Sequence, residues 1–438
     1  MIRRFHFLTM AAWVFILILI DQASGGYQLT AAADRPDAIY QAGDTVRFTI
    51  TVQQDGQPVG DGNISYVLSN DGTDVVSKGD SAYAGKPLEV TGTLDQPGFL
   101  HLEVTYKSKS GEQASGSAGA ALDPLKIQPS LEAPQDFDAF WAGKKQRLAE
   151  LAMNEQIAPV ASPDPAIEAF DVQLDCYGGP PARGYLARPK DAPAGTLPAI
   201  LWVHGAHFFP SFLDQAVQGA KMGLLSMDLN GHGFPNGKPN EFYEKHPIHN
   251  LPGHGYYEQV YTYPYYGCED RETTYFLGMF LRMIRALEYL KQRPEWDGKT
   301  LIVCGHSQGG LQAIAASGLD PQITLVAAGI PAMCEVGGRV EAWPRYGWPD
   351  AEGKVNTQRV NAMRYYDATN FARRIRAEAL FSVGFIDQVC QPTTVYAAYN
   401  SVQGEKRIVN VPDMPHARWP QVDESFNKAI LEHIAKNR

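Results

Sequence analysis

Paired cysteines are missing from this chain. Its 438 residues hold five, Cys176, Cys268, Cys304, Cys334 and Cys390, with no Cys-x-x-Cys spacing, so neither a disulfide framework nor a dithiol motif is written into it. The spacing leaves open whether one pair bridges in an oxidising compartment. Also missing is any basic block. The net charge is -10, with 38 Lys and Arg against 48 Asp and Glu, which argues against nucleic acid and against an anionic membrane surface as partners. Long apolar runs are scarce too. The one candidate, Ala11–Ile20, follows Arg3 and Arg4, is closed by Asp21 and is succeeded by the small residues Ala23-Ser24-Gly25. It is too short to cross a bilayer comfortably and has the layout of a signal peptide. Residues 1–25 are therefore read as an export signal, with no integral membrane segment after processing and a periplasmic or extracellular destination.

What is present is a globular composition, 44% hydrophobic and 20% charged, in a chain long for one domain. From about Tyr27 to Leu122 apolar residues alternate with polar ones. Val46, Phe48, Ile50 and Val52 interleave with Arg47, Thr49 and Thr51, and Leu100, Leu102 and Val104 with His101, Glu103 and Thr105. Period-two alternation means strands with one buried face. The turn signals Asp55-Gly56, Asp61-Gly62, Asp71-Gly72 and Pro97-Gly98 separate them. The stretch 27–122 thus reads as an immunoglobulin-like sandwich, a spacer or a binding module without chemistry of its own. A small-residue run, Ala114–Ala121, leads to Asp123-Pro124, and the boundary with the second domain, 127–438, is placed near there.

That second stretch changes character. A helix is expected over Phe137–Leu151, and from Ala166 strands alternate with helices. Apolar runs at Ala199–Val203, Leu224–Met227, Thr300–Cys304, Ile323–Ala328, Ala379–Val383 and Arg407–Val411 read as buried, mostly parallel strands, with helices at Tyr275–Leu290 and Val422–Ile434. The run Thr300–Cys304 breaks into Gly305-His306-Ser307-Gln308-Gly309 and then an alanine-rich helical pattern. Strand, Gly-x-Ser-x-Gly and helix together make a nucleophile elbow, which requires an acid and then a histidine farther along the chain. Asp387 follows the strand Ala379–Val383 by one short turn, ahead of its rivals Asp350 and Asp413. His416 follows the last strand. The expected triad is Ser307, His416 and Asp387, with the backbone amides of Ala206 and Gln308 as oxyanion donors. Cys304, on the strand into the elbow, reads as a buried small hydrophobe.

Gly305-His306-Ser307-Gln308-Gly309-Gly310, Asp387 with Cys390-Gln391-Pro392-Thr393-Thr394-Val395-Tyr396-Ala397-Ala398-Tyr399-Asn400, and Pro134-Gln135-Asp136-Phe137-Asp138-Ala139-Phe140-Trp141 together resemble the acetyl xylan esterase / cephalosporin C deacetylase family of carbohydrate esterases. The resemblance extends over about Ile127–Lys436. It implies an α/β-hydrolase fold and a serine esterase that removes acetyl groups from sugar hydroxyls without a cofactor, acting on acetylated oligo- or polysaccharide; an oligomer is compatible with it. Three departures mark a divergent member: Asn230-Gly231-His232 stands for the family's Arg-Gly-Gln, His416-Ala417 for its His-Glu, and His204-Gly205-Ala206 for its His-Gly-Tyr.

Residues 231–271 are rich in Tyr and His and are expected to cap the site, with Tyr265 and, after the next strand, Trp343 and Trp348 as candidate sugar-contacting residues. His246, His249 and His254 lie among prolines without helical spacing, so no metal site is expected. The competing reading is a secreted prolyl-oligopeptidase-like peptidase, against which stands the lack of an acidic pair to anchor a peptide amino terminus.

Overall fold

The computed structural model describes residues 26–246, 262–350 and 352–437. The segments 1–25 and 247–261 lie outside it, and with them the export signal and the capping-loop residues His249, His254, Tyr256, Tyr257 and Tyr261.

The first hundred described residues form strands β1 (Tyr27–Ala33), β2 (Ile39–Tyr40), β3 (Val46–Gln54), β4 (Gln57–Pro58), β5 (Gly62–Asn70), β6 (Asp74–Tyr83), β7 (Leu88–Gly92), β8 (Gly98–Lys107) and β9 (Gln113–Leu122). One sheet runs β1-β3-β4 with β7 also on β3, and the other β2-β9-β8-β5-β6. Val46, Phe48, Ile50 and Val52 turn inward from β3, and Leu100, Leu102 and Val104 from β8, as the alternation predicts. The small-residue run before the boundary is itself strand β9.

The rest builds one nine-stranded sheet, β10 (Gln156–Val160), β11 (Ile167–Leu174), β12 (Ala182–Pro189), β13 (Leu197–Val203), β14 (Leu225–Asn230), β15 (Trp296–His306), β16 (Leu325–Gly329), β17 (Glu378–Gly384) and β18 (Lys406–Val411). Its order is β10-β11-β12-β14-β13-β15-β16-β17-β18. The six strands from β13 onward are parallel to one another. They arise from the six apolar runs. Helices cover both faces, so β13 and β16 are buried at every residue and carry no polar alternation. β10, β11 and β12 add an antiparallel edge. The helices are α1 (Phe137–Ala149), α2 (Leu213–Lys221), α3 (Asn240–Glu244), α4 (Tyr275–Gln292), α5 (Gln308–Leu319), α6 (Thr357–Met363), α7 (Ala368–Ala372), α8 (Pro392–Ser401) and α9 (Pro420–Asn437).

Register brings the site together. Val203 at the end of β13 pairs with Gly305 of β15, His306 with Gly329 of β16, and Gly384 of β17 with Val411 of β18. Five strand ends therefore finish nearly level, and their loops meet at the carboxyl edge of the sheet, where open α/β sheets carry their sites.

Candidate active site

Between β15 and α5 the chain must reverse within one residue. Ser307 does so with φ 57 and ψ -122, a left-handed backbone that a non-glycine residue adopts only under constraint. The flanking glycines are required by space. A Cβ at Gly305 would lie 2.6 Å from the carbonyl oxygens of Val203 and Gly309, and one at Gly309 would lie 2.4 Å from that of Val203. With no side chain there, the serine hydroxyl stands clear of the sheet.

Ser307 Oγ lies 3.0 Å from His416 Nε2, and His416 Nδ1 lies 2.8 Å from Asp387 Oδ2. The remaining Asp387 oxygen accepts the backbone N–H groups of Val389 and Cys390, each at 2.8 Å. That fixes the carboxylate, whose side chain is fully buried. Burial by itself would depress the His416 pKa. The Asp387 carboxylate outweighs it, with the Cys390 thiol acting in the same direction, and the imidazole is held well above its ordinary 6.5. The rivals stand elsewhere. Asp350 is exposed and accepts the amides of Glu352 and Lys354 in its own turn, and Asp413 is exposed.

The amide of Gln308 opens α5 directly after the serine, and that of Ala206 lies on the loop after β13, whose last residue Val203 pairs with Gly305. Neither has a hydrogen-bond acceptor among the described residues. Beside them a cavity of about 10 Å³ is lined by His204, Gly205, His207, Phe209, Asn230, Gly231, His232 and Gln308. His204 Nε2 contacts Asp228 Oδ1 at 2.7 Å, which holds the ring in the loop after β13. His207 is pushed down to about 3 by burial, and His232 well below its ordinary range for the same reason, so both rings are neutral.

The expected sugar-contacting residues separate. Tyr265 is buried and donates its hydroxyl to Pro344 O at 2.5 Å. Trp343 is buried, its backbone N–H donating to Val389 O at 2.9 Å. Trp348 is 44% exposed, with the Arg345 guanidinium 4.1 Å above its ring. Two supporting residues went unread. Gln312 donates from Nε2 to His204 O at 3.0 Å and ties the oxyanion loop to α5; its place one helical turn beyond Gln308 was the available signal. Tyr263 donates its hydroxyl to Gln308 Oε1 at 2.5 Å. All five cysteines are free, and Cys304 is buried. Among the described residues the one group with metal-ligand spacing is Asp387, Cys390 and His416, which is this same constellation.

The sequence model of the acetyl xylan esterase (AXE1) family matches residues 120–433. The chain belongs to that family. As a member of the acetyl xylan esterase family it is a serine-type carboxylic ester hydrolase of the α/β-hydrolase fold. An acetyl esterase, Axe7A, of Xylanibacter ruminicola is 26% identical over 414 residues, 92% of this chain and 90% of the relative. That span is wider than 120–433 and reaches into the N-terminal strands. Among solved structures, an acetyl xylan esterase from Paenibacillus sp. R4 is 27% identical with a TM-score of 0.61, covering 70% of this chain and 98% of its own. Acetyl xylan esterase 1 from Thermoanaerobacterium sp. JW/SL YS485 shares the fold at a TM-score of 0.59 and 21% identity, covering 71% and 97%.

Proposed function

We propose that this acetyl xylan esterase family member is an exported enzyme that removes acetyl groups from carbohydrate esters, with Ser307, His416 and Asp387 as a catalytic triad. The hydrogen-bonded line from Ser307 Oγ through His416 to Asp387, at 3.0 and 2.8 Å, carries the reading. His416 Nε2 takes the serine proton as Oγ attacks the ester carbonyl, and the N–H groups of Ala206 and Gln308 receive the oxyanion. The imidazolium formed at this step is stabilised by Asp387, which also fixes the ring's tautomer. The intermediate then expels the sugar oxygen, and His416 gives it the proton that makes it a hydroxyl. Water, deprotonated by the same nitrogen, opens the acetyl-enzyme.

A small acyl group is supported by the 10 Å³ cavity that His207, His232 and Gln308 help to line, which has room for little more than one water-sized group. Each methylene beyond acetyl has to displace His207, His232 or Phe209, at about 1–3 kcal/mol in relative transition-state binding. A set of nitrophenyl esters tests this: kcat/KM falls steeply from acetyl to butyryl to octanoyl. A rate that rises with chain length would leave only a generic serine hydrolase. The peptidase reading draws no support, since the matched family is one of esterases. Export rests on residues 1–25, and amino-terminal sequencing of secreted protein decides it.

A further inference from the structure

A cavity of about 810 Å³ opens where the N-terminal strands meet the α/β region, within the usual range for a small-molecule site. Gly72 and Thr73, at the turn between β5 and β6, form one wall, and Arg345, Trp348 and Lys354 belong to the facing wall. Gln388 also lines it, one residue beyond Asp387, so the cavity backs onto the loop that carries the proposed catalytic acid. Nothing in the reaction described above uses it.

Its chemistry is specific in two respects. Trp348 offers an indole with 44% of its surface exposed, and the Arg345 guanidinium 4.1 Å from the ring fixes its orientation. Such a surface suits the C–H face of a pyranose. The charge is also one-sided. Three cations, Arg345, Lys354 and Arg359, line the cavity against one carboxylate, Asp350. Arg359 is paired with Glu269 at 2.8 Å, and Asp350 is occupied by the amides of its own turn. Arg345 donates to the backbone carbonyls of Glu341 and Gln388, which orient a guanidinium without neutralising it, and neither Arg345 nor Lys354 has a carboxylate partner among the described residues. Asp350 keeps its charge as well, so with Arg359 paired the lining holds two cations against one carboxylate, and that cationic excess beside an exposed indole, in a protein of net charge -10, suits an anionic sugar.

We propose that this seam cavity binds a uronic-acid unit of the carbohydrate chain whose acetyl ester is presented to Ser307, with the sugar ring on Trp348 and its carboxylate between Arg345 and Lys354. The proposal rests on the carbohydrate-esterase reading and adds to it a preference for acidic chains. The test is calorimetric titration of the full-length protein with a glucuronate-branched xylo-oligosaccharide and its unbranched counterpart, at low and high salt. The branched ligand binds about ten-fold tighter at low salt, and the preference shrinks as salt rises. Lys354→Glu abolishes the preference and keeps the wild-type rate on nitrophenyl acetate, and Trp348→Ala weakens both ligands. Equal affinity for the two ligands, or a preference that survives Lys354→Glu, overturns the proposal. Should Trp348→Ala fold poorly, Lys354→Glu decides alone, because that side chain is exposed. Acetate release from acetylated neutral xylo-oligosaccharides, measured alongside, reads the esterase function separately: its absence strikes the substrate reading, whereas its presence with equal affinities strikes only the seam site.

Discussion

The two regions bury their strands differently. In the α/β region, β13 and β16 are covered on both faces by helices. In the N-terminal region β3 buries one face and leaves the other partly wet, the ordinary state of a free-standing sandwich. β8 breaks that pattern. From Gly98 to Leu102 both of its faces are buried, because its outer side lies against the loop after β17. Phe99 packs edge-on to Phe385 at 5.1 Å and reaches Tyr396 of α8 at 5.6 Å. Gln388 Nε2 donates to His101 Nδ1 at 2.5 Å, Gln391 Nε2 to Asp71 O at 2.8 Å, and Arg339 to the buried carboxylate of Asp71 at 2.6 Å. The residues held from the sandwich side therefore bracket Asp387. A region with no chemistry of its own braces the loop on which the chemistry is proposed to depend, and it is more than a spacer.

The contrast can be broken from either side, and the largest effect lies within the α/β region. Ser307→Ala lowers kcat by about 10⁶ with an unchanged melting temperature; a loss below a hundred-fold would remove the serine from the mechanism. Next comes Asp387→Asn, with a loss of about 10⁴. Its pH profile separates a role in charge from one in packing. His416 must be neutral to act as base, so activity rises with pH through its pKa, which the Asp387 carboxylate holds above 6.5. The asparagine variant brings that acid limb to lower pH. An unmoved limb would assign it to another group.

Two smaller effects sharpen the comparison. Phe48→Ala and Phe99→Ala each remove a fully buried ring from the sandwich, at about 3–5 kcal/mol. Only Phe99→Ala also loosens Phe385, so it alone lowers kcat on nitrophenyl acetate, by several-fold below the melting transition. Identical kcat values for the two variants would mean that the seam does not brace the acid loop. The smallest effect concerns Glu335, buried in the α/β region beside Asp367. Burial foremost, and the neighbouring Asp367 charge after it, raise its pKa from 4.5 to about 8. The folded protein thus keeps a proton that the unfolded chain has released between those values, and stability falls as pH rises from 4.5 to 8. Glu335→Gln flattens that decline, raising the melting temperature at pH 8 relative to wild type and little at pH 4.5. A parallel shift at both pH values would point to packing instead of titration.

Much of this was legible, for physical reasons that differ by element. The parallel strands were readable because a strand buried on both faces must be a nearly unbroken apolar run, as Ala199–Val203 and Leu301–Cys304 are. Ser307, Asp387 and His416, which the structure brings together, each follow the end of an expected strand. β10 to β12 were harder. Their partly exposed edge mixes Glu168, Asp171 and Arg183 with apolar residues, so neither a clean run nor a clean alternation results. The seam was invisible because alternation assigns a residue to a face without saying what covers it. His101 was placed correctly on the outer face of β8, yet that face is buried, and the imidazole is pushed down to about 4 by desolvation. Trp343 is buried where a sugar-facing ring was expected, since aromatic content near a site does not distinguish a packed layer from a surface open to sugar.

The backbone of Ser307 has a consequence for durability. A serine held at φ 57 sits about 1–3 kcal/mol above a relaxed conformation, and the surrounding fold keeps it there in every molecule, whether or not substrate is bound. That deficit is a standing thermal handicap carried for the sake of an outward-pointing hydroxyl. Heat tolerance in this enzyme therefore has to be found outside the elbow, because relaxing this strained turn would remove the proposed nucleophile along with the strain.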